Sequence, residues 1–78
     1  MNEKTIDVHG LTVDMAKREI ERFIASCDNN VTHVRVIHGY SHGDNIREFI
    51  QRPNSIRSKR IKRKKFTKNR GETIFELY

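Results

Sequence analysis

Two histidines in this chain each precede a glycine and follow a β-like run: His9 in "IDVHG", residues 6–10, and His38 in "VIHGYSHGDNIRE", residues 36–48. An imidazole changes charge near neutral pH, so either ring could move a proton or contact an anion. Asp7 lies two residues before His9, and on a strand that spacing puts both side chains on one face. A carboxylate there can fix the imidazole tautomer and raise its basicity. Gly10, Gly39 and Gly43 would let backbone N–H groups come close to a phosphate. A helix starting near Asp44 would present its positive end to the same ligand. A plainer chemistry fits the same residues: a hydrogen-bonded structural histidine, a glycine that only turns the chain, and an aspartate that only caps a helix.

The elements that must position these residues can be read from periodicity. In "KTIDVHG", Ile6 and Val8 face one way and Thr5, Asp7 and His9 the other, which predicts a strand ended by Gly10. Thr12 is a fair N-cap, with Asp14 in the first helical turn. Val13, Ala16, Ile20, Phe23, Ile24 and Cys27 then form one apolar stripe, and "DNN" at 28–30 ends that helix. "VTHVRVIHG" predicts a second strand. Asp44 caps a second helix carrying Ile46, Phe49 and Ile50, which Pro53 ends. The basic stretch reads as a strand with a solvated cationic face, "NRG" at 69–71 as a turn, and "ETIFELY" as a last strand whose core members are Ile74 and Leu77.

The order β-α-β-α-β-β predicts a single α/β domain over residues 1–78, its first βαβ unit a right-handed crossover between parallel strands. Ligands of open α/β sheets bind outside the carboxyl ends of the strands. If the first two strands are neighbours, His9, His38 and Asp7 share one rim there.

Charge narrows the class of partner. Residues 1–56 hold seven Lys/Arg and eight Asp/Glu, whereas residues 57–70, "RSKRIKRKKFTKNR", hold nine Lys/Arg and no acid. The positive field therefore comes from Arg57, Lys59, Arg60, Lys62, Arg63, Lys64, Lys65, Lys68 and Arg70, a block that points to a nucleic-acid contact. Its bland counterpart is a solubilising face. Tyr40 and Phe66 could stack on unpaired bases, with core packing the alternative for Phe66. One cysteine, no apolar run of membrane-spanning length and no leader pattern lead to the expectation of a soluble cytoplasmic protein without a membrane partner. No metal or other cofactor is expected. Cys27 lies on an apolar helix stripe, where a thiol is inert, and His33 starts its strand at the end opposite His38.

At these residues the chain resembles the Smr (Small MutS-Related) domain family, over nearly its whole length. "IDVHGLTVDMAKREIERFI" is similar to the family's opening Asp-(Leu/Val)-His-Gly-Leu-(Thr/Ser) and its amphipathic helix. "VRVIHGYSHGDNIRE" is similar to its second strand, His-Gly loop and following helix, and "GETIFELY" to its closing Gly-x-(Ser/Thr)-aliphatic strand. The resemblance implies a βαβαββ fold, a four-stranded mixed sheet with two helices, similar to the carboxy-terminal domain of bacterial initiation factor three. It also implies nucleic-acid binding and, as in some members, cleavage of DNA or RNA, including mRNA on collided ribosomes. The family's functional elements then fall on Asp7 and His9, on His38, Gly39 and Gly43, and on Arg47 as the basic residue opening the second helix. The loop departs from His-Gly-x-Gly-x-Gly at Ser41, and Ile46-Arg47 comes one residue late, which bears on cleavage more than on binding. This form resembles the short stand-alone bacterial members.

Three activities follow. In an endonuclease, His9 oriented by Asp7 would act as general base while His38 or Arg47 stabilises the phosphate, Gly39 and Gly43 lining the pocket. In a non-catalytic RNA- or ribosome-binding module, the basic block would track the phosphate backbone. The third is a protein-interaction domain, for instance one docking on an acidic partner; under each reading a monomer is expected. RNA is favoured over DNA, because no recognition helix is available to read a duplex major groove.

Overall fold

The chain forms β1 (Glu3–Asp7), α1 (Val13–Ser26), β2 (His33–Ile37), α2 (Asn45–Gln51), β3 (Ile61–Phe66) and β4 (Glu72–Leu77). This computed structural model describes residues 2–39 and 45–78. Tyr40, Ser41, Gly43 and Asp44, singled out above as loop, ligand or cap residues, lie with His42 outside the described residues.

The strands line up in the order β1-β2-β4-β3. β1 and β2 are parallel, whereas β4 runs antiparallel to both β2 and β3. The architecture is thus α/β, a four-stranded mixed sheet with two helices, as expected. Alternation sets its two faces. Val34 and Val36 of β2, and Thr73, Phe75 and Leu77 of β4, are buried, while the residues between them are only half-buried. Against that face pack Ala16, Ile20 and Ile24 of α1, with Ile50 of α2. Each fully buried Ile or Phe of this set stabilises the fold by about 1.5–3 kcal/mol. Thr12 caps α1 as expected, its Oγ1 accepting from the Met15 N–H at 3.2 Å.

Two core assignments change. Ile74 shares the outer face with Glu72 and Glu76 rather than packing beside Leu77. Residues three apart on a strand point to opposite faces, and Phe75 with Leu77 takes the inner one. Phe66, the other core candidate, is 60% exposed at the end of edge strand β3.

The basic stretch also contributes to the scaffold. Neither helix carries a basic residue in its last turn, so the carbonyls there need donors from elsewhere. Arg60 supplies them to α1, its guanidinium donating to the carbonyls of Ile24 and Asp28, both at 2.9 Å, and of Cys27. Lys64 does the same for α2, its ammonium donating to the carbonyls of Ile50 and, at 2.7 Å, Arg52. Burial pushes the Lys64 ammonium below its ordinary pKa.

Candidate nucleic-acid interface

Parallel pairing of β1 and β2 brings the two His-Gly pairs to one edge of the sheet. Asp7 stands opposite Ile37, and the Val8 N–H donates to the Ile37 carbonyl at 2.8 Å. Two residues further, His9 and Gly39 are side by side: a Cβ on Gly39 would lie 3.3 Å from the His9 Cβ. Gly39 also has φ +70°, so both its backbone conformation and this close approach select glycine there. Gly10 has φ +81° but open space around it, so only its conformation does.

Asp7 and His9 make a compact exposed pair. Asp7 Oδ1 accepts from the His9 backbone N–H at 3.0 Å and lies 2.5 Å from His9 Nδ1. The side-chain hydrogen bond from His9, then the backbone one, hold the Asp7 carboxyl below its ordinary value. An ionised carboxylate can only accept, so Nδ1 carries the proton. Nε2 is left to meet a substrate and has no hydrogen-bond partner among the described residues. With the His9 side chain 68% exposed, a phosphodiester can reach it.

His38 is placed differently. Its ring is buried and both nitrogens are engaged: Nδ1 lies 3.0 Å from the Gly39 carbonyl, Nε2 3.0 Å from Thr73 Oγ1. A carbonyl only accepts, so Nδ1 carries the proton and the neutral ring's Nε2 accepts from the Thr73 hydroxyl. The His38 and Gly39 N–H groups donate to the Gly71 carbonyl at 2.8 and 2.9 Å, so the Gly39 amide is also taken up within the sheet. The ring nitrogens of His38 and the amides of His38 and Gly39 are thus engaged within the sheet, and Gly39 lies against His9. Arg47 sits half-buried in the first turn of α2.

The basic residues do not form one strip. Arg60 and Lys64 are the helix caps just described. Glu76 gathers three others, with Lys65 Nζ at 2.8 Å, Arg63 Nε at 3.3 Å and Lys62 Nζ at 3.7 Å. The hydrogen bond from Lys65 is the main reason the Glu76 carboxyl sits below its ordinary value. Arg57 and Lys59 are exposed in the loop before β3, where the Arg57 N–H donates to the Glu21 carboxylate at 2.7 Å. Lys68 and Arg70 are exposed in the β3–β4 turn, whose Gly71 carbonyl closes the rim.

Thr73, Gly71 and Glu76 were not among the site residues expected from the sequence, although Gly71 and Thr73 fall on the closing Gly-x-(Ser/Thr) motif. A polar residue at an inward strand position, between Gly71 and Phe75, must find a buried partner, and that rule could have marked Thr73. Among the described residues no group of three His, Cys, Asp or Glu side chains is arranged to hold a metal ion. No helix among them is long and apolar enough to cross a membrane.

Comparison with known proteins bears on the same geometry. The family model described as "Smr domain" matches residues 6–77. The crystal structure of the Smr domain of Thermus thermophilus MutS2 is similar with a TM-score of 0.82 and 24% sequence identity, over 96% of this chain and 98% of that one, a likeness of fold. No curated protein matches the chain by sequence.

Proposed function

Because the chain belongs to the Smr domain family, a family of nucleic-acid-binding, nuclease-related domains, we propose that it cleaves a nucleic-acid backbone, RNA in preference to DNA, at the Asp7–His9 pair. The supporting observation is the exposed Oδ1–Nδ1 contact of 2.5 Å, which directs His9 Nε2 outward as a general base. On RNA, Nε2 takes the proton of a ribose 2′-OH. That oxygen bonds to phosphorus, the P–O5′ bond breaks, and the O5′ leaving group takes up a proton, leaving a 2′,3′-cyclic phosphate. Asp7 stabilises the imidazolium formed on the way. Lys68, Arg70 and Arg47 balance the phosphate charge, and the His38–Gly39 floor fixes the height of His9. The domain works as a cytoplasmic monomer, and RNA of the ribosome is within its class of substrate. The test is a gel assay on single-stranded RNA, single-stranded DNA and duplex DNA. Cutting of RNA that is lost in both Asp7→Ala and His9→Ala is the expected result, and cutting that survives in either variant removes the pair from the chemistry.

A second reading rests on the exposed cations of the β3–β4 turn and the loop before β3: a module that binds RNA or the ribosome without cutting. Its signature is salt-sensitive RNA binding that persists in His9→Ala, with no cut by the wild-type protein.

A further inference from the structure

Beside β3, away from the His-Gly rim, a groove of about 440 Å³ opens between the strand and the connection that follows α2. That volume lies within the range of small-molecule sites. Ile56 and Ile61 give it an apolar floor, Gln51 and Asn54 offer side-chain amides, Lys62 lines one side, and Phe66 stands in its wall. No Asp or Glu lines it. Phe66 is 60% exposed, whereas Phe75, on the adjacent strand, is fully buried. Edge strands are commonly protected from aggregation by lysine, and that need explains Lys62 and Lys65. It does not explain an exposed aromatic ring on the same edge, which works against such protection.

We propose that this groove is a subsite for one unpaired base of a nucleic-acid strand, stacked on Phe66 and held along its backbone by the neighbouring cations. The inference rests on the nucleic-acid reading above and specifies the form of the ligand as single-stranded. Aromatic faces flanked by cations are how single strands are held without sequence reading. The amides of Gln51 and Asn54 can meet the polar edge of any base. A peptide added to the β3 edge fits less well, because the ladder is irregular between Ile61 and Arg63 and so gives a poor template.

The position also makes sense of the path. Phe66 lies in one cross-strand row with Thr73, Val36 and Ile6. Three strand spacings and three residues of rise separate it from His9, roughly 17 Å. Phe66 is on the helix side of the sheet and His9 on the other, so a strand joining them would turn around the edge of the sheet at the β3–β4 turn, past Lys68 and Arg70.

Fluorescence anisotropy on three labelled ligands tests this: a short single-stranded RNA, an abasic strand of equal charge, and a blunt duplex. Phe66→Ala is expected to weaken the base-bearing strand by roughly 5- to 100-fold, to leave the abasic strand and duplex unchanged, and to be rescued by Phe66→Tyr. Unchanged binding of the base-bearing strand, or equal loss on the abasic strand, overturns the proposal while leaving nucleic-acid binding intact. Poly-glutamate included as a fourth ligand gives another refutation: loss of its binding alone in Phe66→Ala would assign the groove to an acidic protein. Wild-type protein that binds none of the nucleic acids would bring down both this inference and the function it rests on.

Discussion

Replacing Thr73 by valine removes one hydroxyl at constant shape, and its effect can be worked out from the contacts of His38. The Thr73 hydroxyl is the donor for His38 Nε2 at 3.0 Å, and both residues are buried. In Thr73→Val the ring keeps its bond from Nδ1 to the Gly39 carbonyl, so Nε2 is left as a buried acceptor without a donor. Such an orphan costs about 1–3 kcal/mol. Valine's more apolar side chain and its strand preference offset part of that. A net loss of about 1 kcal/mol or more remains, which for a domain this size lowers Tm by roughly 4–8 °C per kcal/mol. Urea unfolding should show a lower midpoint at an unchanged m value, and Thr73→Ser should fall closer to wild type. The loss should carry to the rim, because His38 holds the Gly39 carbonyl and Gly39 abuts His9: RNA cleavage or binding should weaken beyond what the unfolded fraction explains. A Thr73→Val protein as stable as wild type would refute the assignment. So would nitrogen chemical shifts placing the His38 proton on Nε2 in the wild type.

Three further perturbations separate scaffold from surface. Gly39→Ala should cost about 1–2 kcal/mol for its left-handed backbone and impair activity by displacing His9, whereas Gly10→Ala, similarly strained but in open space, should cost a like amount of stability without the contact; paired urea and activity measurements compare them. Lys68→Ala with Arg70→Ala should flatten the salt dependence of RNA affinity by about 0.7–0.9 log units per lost phosphate contact, while Arg60→Ala should leave that slope alone and lower the urea midpoint by uncapping α1. Glu3, Asp7, Glu21 and Glu76 all hold their carboxyls below ordinary values, Glu3 through its hydrogen bond from Arg35, Glu21 through that from the Arg57 N–H against opposing desolvation, and Glu76 through that from Lys65. Unfolding returns each to its ordinary pKa, so their stabilisation is present above the ordinary carboxylate range and is lost as pH falls through the lowered folded values; Glu76→Gln should make acid unfolding shallower, read as the urea midpoint against pH.

Element order and type were legible because the periods are clean. Alternation through Ile6 and Val8, the α1 stripe, and Pro53 after α2 are local signals that tertiary contacts reinforce. The core of β4 was misread because apolarity was counted without parity: Ile74 and Leu77 are both apolar but lie on opposite faces. Phe66 failed for a different reason. Its cross-strand partner Thr73 is buried, so its own side faces the helices, yet among the described residues nothing covers the end of that row; coverage is a property of helix length and placement, which pattern alone does not give. The basic block was legible as charge but not as role. Arg60 and Lys64 serve as helix caps because α1 and α2 have no basic residue of their own in the last turn, a pairing that joins positions 12 to 36 residues apart in sequence.

The two His-Gly pairs share their letters and have opposite placements, and strand parity is the reason. In β1 the inward residues are Ile6 and Val8, so the next residue, His9, falls outward on the face of Asp7. In β2 the inward residues are Val34 and Val36, so His38 continues the inward series. Continued past its last pair, Asp7 with Ile37, the parallel register sets Val8 beside His38, and Gly39 lies against the His9 Cβ. A shift by one residue in either strand would exchange an exposed imidazole for a buried one, since a one-residue slip turns every side chain to the other face. The outward ring needs a carboxylate two residues before it, and Asp7 is there; the corresponding residue before His38 is Val36, which belongs to the core. The inward ring needs a buried donor across the sheet, and Thr73 supplies it. Asymmetry is therefore built into the chain twice, once by parity and once by the partner each histidine is given, and exchanging the rings' roles would require changing Asp7, Val36 and Thr73 together.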